Sequence, residues 1–402
     1  MTDQSRASGM GLILLLGALA GLTPLAIDMY LPAIPTIADE MGASVATTQL
    51  TVSFFLVGFA VGQLLYGSLT DAYGRMPVLG ASLGVFILAS VAATWSRSVE
   101  MLIAARTLQA LGGAGASVVV MAVLRDLFQK ERFARAMSFV MLVMNLAPLA
   151  APILGGFLLI QGGWRAIFVL LALFALALVV MMRWRVGETL PTEQRRPAGV
   201  KAALALYRSI LAHGTVRAHL IVGTLFSASL FLFITGSSYV YIRYFGVAAE
   251  HFGFLFGLNI LTMMALTTLN ARFVARVGTA RMMLRGLLTT ALGALLALVT
   301  SLLGDPPLWA VVIPIMLMMG PLGMVSANAT TLALDAFDGA AGSVSALGGA
   351  MRFLAGAVAG GLLSLVHPQS PAPMLTGMAV CSLASLGYHL WHEKHLTVKE
   401  QP

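Results

Sequence analysis

Hydrophobic positions in this chain fall into long runs broken by short polar turns, and the runs recur from end to end. Divided at charges and turn residues, they predict segments near 10–34, 47–69, 78–96, 101–124, 135–160 and 165–184, then near 217–242, 252–273, 282–303, 307–333, 341–366 and 374–391. A helix rises about 1.5 Å per residue, so about 20 residues cross a hydrocarbon layer about 30 Å thick, and each run suffices. Leu, Ala, Gly and Met dominate without the alternating polarity of a barrel strand, which makes helices the expected element. The predicted fold is an all-α membrane protein of twelve transmembrane helices. A polar, basic, proline-containing stretch between Arg185 and Arg217 separates two six-helix halves, residues 1–185 and 217–402, leaving a linker at 186–216. The linker is expected to be a tether that includes a short amphipathic helix on the inner membrane surface. The first run continues past Asp28 to Leu31 without a small-residue cleavage site, so it reads as a span and not as a signal peptide.

Composition agrees with this pattern. The 402 residues are 59% hydrophobic and 10% charged, with a mean hydropathy of +0.91, too few charges to coat a soluble globule. The net charge of +8 would suggest nucleic acid in a soluble protein, but here the bases are partitioned. Counted from a cytoplasmic N-terminus, the inner loops hold Arg75, Arg125, Lys130, Arg132, Arg135, Arg183, Arg185, Arg195, Arg196, Lys201, Arg208, Arg217, Arg272, Arg276, Arg281 and Arg285, whereas the outer loops hold Arg97, Arg165 and Arg243. By the positive-inside rule this places both termini in the cytoplasm and excludes a nucleic-acid partner. Cys381 stands alone in an apolar run, so no disulfide framework is expected, and no Cys and His spacing suggests a metal. The histidines are scattered, with His389, His392 and His395 in the C-terminal tail, and no nucleophile set or phosphate loop points to an enzyme.

Several polar groups interrupt the spans. The first ends Thr23-Pro24-Leu25-Ala26-Ile27-Asp28-Met29-Tyr30-Leu31-Pro32, which puts an acid inside apolar sequence. In the fourth, Arg106 and Gln109 are three residues apart and share a helix face. A guanidinium in lipid is costly, so Arg106 should face a partner or a watery cavity. Burial disfavours an ionised carboxyl and a nearby Arg favours it, so Asp28 and Arg106 together could set a useful proton affinity. Asp28 is the expected proton carrier. The loop after the second span reads Gly67-Ser-Leu-Thr-Asp71-Ala-Tyr-Gly74-Arg75-Met-Pro77: Gly67 suits close packing, Asp71 can pair with a base or a helix N-terminus, and Gly74 allows a tight turn. A degenerate echo in the second half, Arg276-Val-Gly278-Thr-Ala-Arg281, lacks the acid. The fifth span carries Asn145, then Pro148, Pro152, Gly155 and Gly156, a spacing that kinks a helix and lets another approach.

Further candidates for a substrate cavity are Tyr30, Gln109, Asn145, Asn259 and Arg352. Arg352 could instead pair with Asp335 or Asp338, and the amides, Asn328 included, could simply bond neighbouring helices. Tyr30, Tyr239, Tyr241, Trp164 and Trp309 fall near outer ends, where an interfacial aromatic belt is the default. The 23 methionines and 20 phenylalanines would suit a cavity that repacks around varied apolar ligands, although most should face lipid or core.

These motifs resemble the major facilitator superfamily, in which two six-helix halves rock around a central site. The 67–77 loop is similar to its gating signature, which locks one state through charge contacts. The Arg106 segment resembles the fourth-helix motif, with Ala110 where glycine is usual. The Pro148–Gly156 segment resembles the antiporter motif, with Ala151 in place of the glycine before the proline. The run around Asp28, with Arg125-Asp126 and Met137-Ser-Phe-Val-Met-Leu-Val, resembles the bicyclomycin and chloramphenicol resistance branch of drug:proton antiporters. The resemblance implies a monomer in a bacterial inner membrane, with drug export driven by the inward proton gradient, without a cofactor. A dedicated metabolite exporter or proton symporter of the same fold is the alternative.

Overall fold

A computed structural model describes residues 9–195, 199–337, 341–366 and 369–399; Arg196 and Asp338 lie outside them. Every described regular element is helical. Ten helices are long and apolar enough to cross a membrane, and one of these, Arg132–Arg185, is long enough to cross twice. Gly163 divides it: at φ 72° and ψ 174° it leaves the helical region, so the fifth and sixth spans meet there. The backbone stays helical at Pro148 and Pro152. The last helix, Ala372–Lys399, is diluted by serines and histidines and completes the twelve.

We number the helices α1 Met10–Asp28, α2 Ile34–Glu40, α3 Val45–Tyr73, α4 Arg75–Thr94, α5 Val99–Leu127, α6 Lys130–Arg185, α7 Val200–Ala212, α8 Gly214–Ser238, α9 Ala249–Val277, α10 Thr279–Ser301, α11 Leu308–Met319, α12 Asn328–Asp335, α13 Ala341–Ser364 and α14 Ala372–Lys399. Contacts divide the chain at 200/201 into two compact units, with residues 248–253 grouped with the first.

Local sequence explains most boundaries. Pro32 and Pro35 lack the N–H groups that would bond the carbonyls of Asp28 and Leu31, so α1 ends at Asp28 and the chain passes through a 3₁₀ turn, Leu31–Ala33, into α2. The first span is therefore a broken helix reaching Glu40. Ser44 and Ser98 cap α3 and α5 by accepting from the backbone N–H groups of Thr47 and Met101. In the second unit, a π-helical segment at Tyr239–Tyr244 extends α8, and another at Gly323–Ala327 interrupts the tenth span.

The first unit closes around Leu16, Phe55, Phe86, Trp164 and Phe168, each below 2% exposure. Glycines bring its helices together. A Cβ on Gly62 of α3 would lie 2.5 Å from that of Ala114 in α5, and Gly112 of α5 abuts the α4 backbone at Ser82 and Phe86. Gly67 departs from expectation, because nothing lies within 4 Å of its Cβ position. At the opposite end from Gly74, the Glu40 carboxylate accepts from Trp164 Nε1 at 2.6 Å and pairs with Arg165. Trp164 is thus buried in this clasp and not part of an interfacial belt. Tyr30 and Tyr241 are also fully buried, whereas Trp309 is 66% exposed.

The second unit packs Val222 and Phe226 of α8 against Met283 and Leu287 of α10, with Val325 and Ala329. The linker is more than a tether. Its first part docks on the first unit through Glu188, and α7 packs Ile210 against Val216, Leu220, Ala333, Val344 and Leu347 of the second.

Candidate functional site

In the first unit the candidate coupling residues converge where α1 ends. Arg106 of α5 is fully buried. Its Nη1 donates to the Ala26 carbonyl at 2.9 Å and to Gln109 Oε1 at 2.5 Å. The Ala26 carbonyl belongs to the last turn of α1, where intrahelical donors run out, so Arg106 supplies the donor that the end of the helix leaves missing. The guanidinium lies between the rings of Phe55 and Tyr30, 4.3 and 4.6 Å from their centroids, with Phe168 at 5.8 Å. Such desolvated cation–π contacts contribute up to about 2 kcal/mol each and partly replace the missing counterion. Arg106 Nε and Nη2 have no hydrogen-bond partner.

Asp28 is 5% exposed, and among the described residues it forms neither an ion pair nor a hydrogen bond. The anticipated Asp28–Arg106 pair is absent for a geometric reason. Arg106 engages Ala26, and a residue two positions further along a helix points to nearly the opposite side. Gln109 belongs to the Arg106 support: its Oε1 accepts from Arg106 and its Nε2 donates to Ser90 at 2.8 Å, so neither end is free for a ligand. Tyr30 likewise bonds Thr51 at 2.8 Å and walls the guanidinium. Asn145 is half-buried, without a hydrogen bond among the described residues.

The Pro/Gly stretch of α6 is a close-approach surface. A side chain on Gly155 would collide with the backbone of Met29, beside Asp28, and one on Gly156 would come 2.6 Å from the Ala249 carbonyl oxygen, in the 248–253 strip grouped with the same unit.

The turn at Gly74, φ 97°, joins α3 to α4. Arg75 bonds Asp71 through Nη1 at 2.5 Å and Asp126 of α5 through Nε at 3.1 Å. The helix N-terminus is capped not by Asp71 but by Glu188, from beyond the sixth span. Its carboxylate accepts from the backbone N–H groups of Arg75 at 2.9 Å and Met76 at 3.1 Å, and Thr189 donates to Asp126 at 2.9 Å. Burial opposes ionisation of Glu188, but three backbone donors and the nearby Arg195 outweigh it and hold its carboxyl below the ordinary range. Sequence reading missed Glu188 because its partners lie 112 and 113 residues away. The one available signal was an acid directly after a basic helix end.

In the second unit, Asn259 is buried and its Nδ2 donates to the Leu255 carbonyl of its own helix at 3.2 Å. Asn328 bonds Asn270 across helices at 2.8 Å, a structural use. Arg352 donates to Thr330 at 2.7 Å and makes no pair with Asp335, which is exposed.

A buried acid at a helix break, a caged arginine and a charge-locked turn, set among twelve membrane-crossing helices, define a membrane transporter class. The chain belongs to the Major Facilitator Superfamily, whose family model matches residues 16–360. It is 34% identical over 96% of both chains to the "Bicyclomycin resistance protein homolog" of Haemophilus influenzae, and 27% identical over 91% of both to "Multidrug resistance protein D" of Escherichia coli. In fold it is similar to a D-xylose-proton symporter, with a TM-score of 0.73, 16% identity and coverage of 94% of this chain and 97% of that one.

Proposed function

We propose that the protein is a proton-coupled efflux antiporter that exports small amphipathic drugs, of the chloramphenicol or bicyclomycin kind, from the bacterial cytoplasm by alternating access, as a monomer with both termini inside. The observation that carries this reading is Asp28, a buried carboxylate with no partner among the described residues, two residues after the Ala26 carbonyl that holds Arg106. An unpaired buried acid is costly when ionised and is therefore a natural proton acceptor. The relatives named for bicyclomycin and multidrug resistance support the substrate class.

In this mechanism Asp28 takes a proton from outside, and the neutral carboxyl no longer opposes closure of the outer side. It releases the proton inside as drug is captured. Arg106, fixed by Ala26, Gln109 and the aromatic cage, supplies a constant positive field and is not an ion-pair partner that opens and closes. Close approach at Gly155 would transmit a change at Asp28 to α6, because Met29 is its contact. Proton and drug need only prefer different conformations to be coupled.

The test is proton efflux from acidified inverted vesicles on addition of chloramphenicol or a bicyclomycin-like compound. The intact protein should dissipate the gradient, and Asp28→Asn should reduce the response to background. Retained proton-linked export in that variant would remove Asp28 as carrier. Silence of folded intact protein to a broad drug panel would favour a dedicated metabolite exporter or symporter.

A further inference from the structure

Arg352 is a second cation within a span, and its setting differs from that of Arg106. It lies eleven residues into α13, about 16 Å along the helix at 1.5 Å per residue. The exposed large hydrophobic residues of α13 are Leu354, Val358 and Leu362, a stripe of the kind that faces hydrocarbon. Two residues before Leu354, Arg352 points about 200° around the helix, away from that stripe. On its own side it meets glycines: the Cβ position of Gly348 is 3.6 Å from Nη2 and that of Gly223 in α8 is 4.0 Å from Nε. The absent side chains leave room beside the guanidinium.

Five N–H donors project from a guanidinium, and one of these is used, on Thr330. The rest are not sealed in. Arg106 holds nitrogens that are both buried and unbonded, whereas Arg352 holds none of that kind. Its unbonded donors therefore keep some accessible surface, although the residue as a whole is only partly exposed. Lipid is a poor candidate for the space beside them, since a charged guanidinium in hydrocarbon is costly. Water is the favourable alternative. Among the described residues no carboxylate pairs with Arg352, and the buried acid of the chain, Asp28, belongs to the other unit.

We propose that Arg352 and Thr330 form a recognition subsite in the second half for the anionic or strongly hydrogen-bond-accepting group of an amphipathic substrate, such as a carboxylate or nitro group, and that lipophilic cations are excluded from it. The planar fork of Arg352 can bind two acceptor oxygens at once, while Thr330, whose hydroxyl donates to the Ser326 carbonyl, accepts from Nη2 and fixes the guanidinium. This inference rests on the export reading for its biological meaning, but the subsite can be measured without transport.

The experiment uses full-length purified protein in nanodiscs with radiolabelled salicylate, an aromatic carboxylate ionised at neutral pH, read by scintillation proximity. Saturable binding is expected, displaced by chloramphenicol through its nitro group and unaffected by tetraphenylphosphonium. Arg352→Gln should weaken binding about tenfold or more. Arg352→Lys, which keeps the charge and loses the fork, should fall between, and Thr330→Ala should weaken it less. Variants are compared only where elution and melting match the intact protein. Absence of saturable salicylate binding to folded intact protein, equal binding by Arg352→Gln, or displacement by the phosphonium cation would each overturn the proposal. Failure of the export reading looks different: drug evokes no proton flux from vesicles while salicylate binding still depends on Arg352.

Discussion

The chain passes from α3 to α4 through Gly74 at φ 97° and ψ 163°, and from α9 to α10 through Gly278 at φ 92° and ψ 148°. The two turns share a backbone conformation that is essentially confined to glycine. Their surroundings do not match. Around Gly74 stand Asp71, Arg75, Asp126 and Glu188, joined by two ion pairs and a carboxylate cap on the helix N-terminus. Around Gly278, nothing lies within 4 Å of the Cβ position. The same turn thus serves as a connection in one half and as a charged lock in the other. An internal repeat can keep its geometry while one copy alone acquires the chemistry.

The sharpest way to test this comparison is to place the same substitution in both turns. Gly74→Ala and Gly278→Ala both force alanine into a backbone region that costs about 1–3 kcal/mol. At Gly74 the new Cβ would also lie 2.6 Å from the Glu188 carboxylate and displace the cap, a further loss of about 1–3 kcal/mol. Gly74→Ala should therefore lower the apparent melting temperature in detergent clearly more than Gly278→Ala; equal losses would mean that the Glu188 contact contributes nothing.

A smaller effect separates the arginines. Arg75→Gln removes two charge-assisted bonds and leaves Asp126 facing Asp71, for about 1–3 kcal/mol. Arg276→Gln and Arg281→Gln remove exposed charges worth less than about 1 kcal/mol. Melting of the three variants should rank the loss in Arg75→Gln well ahead of the other two; equal losses would mean that the ion pairs at the first turn contribute nothing.

The smallest effect is the pH dependence of the cap. Because the folded-state pKa of Glu188 is depressed, its contribution is complete above the ordinary carboxylate range and disappears as pH falls through the lowered value. Melting scans should show no Glu188-dependent change between pH 7 and 5 and a loss below about pH 4. Glu188→Gln, which keeps an acceptor and drops the charge, should cost about 1 kcal/mol at neutral pH and flatten that acid limb.

How much of the site was legible in the chain follows from how far apart the partners lie. Arg106 and Gln109 share a helix face, so their proximity could be anticipated from spacing alone, whereas the Asp71–Arg75 pair spans the Gly74 turn between two helices. The Arg75–Asp126, Gln109–Ser90 and Glu188–Arg75 contacts join different helices, and no periodicity encodes them. The Asp28–Arg106 expectation failed at this step. Two opposite charges in the first and fourth spans suggest a pair, but the end of α1 at Asp28 offers Arg106 the carbonyl of Ala26 and leaves the Asp28 side chain on the far side. The aromatic residues failed similarly, because Tyr30 and Trp164 bury their rings and satisfy their polar tips on Thr51 and Glu40. Position near a span end cannot distinguish that arrangement from an interfacial belt.

Span number, helical class, the division into six and six and the Gly74 turn all follow from the sequence by itself, whereas the break of the first span after Asp28 was not read from it. They depend on hydrocarbon thickness, on the need to satisfy every backbone group within lipid, and on the dihedral limits of proline and glycine, all of which act locally along the chain. Tertiary structure decided which polar groups would meet: it gave Arg106 an aromatic cage, left Asp28 without a partner among the described residues, brought Glu188 to the start of α4 and gave Arg352 a single hydrogen bond among them, to Thr330. Hydrogen bonds and ion pairs act over about 3 Å, and only helix packing sets such distances between residues a hundred positions apart.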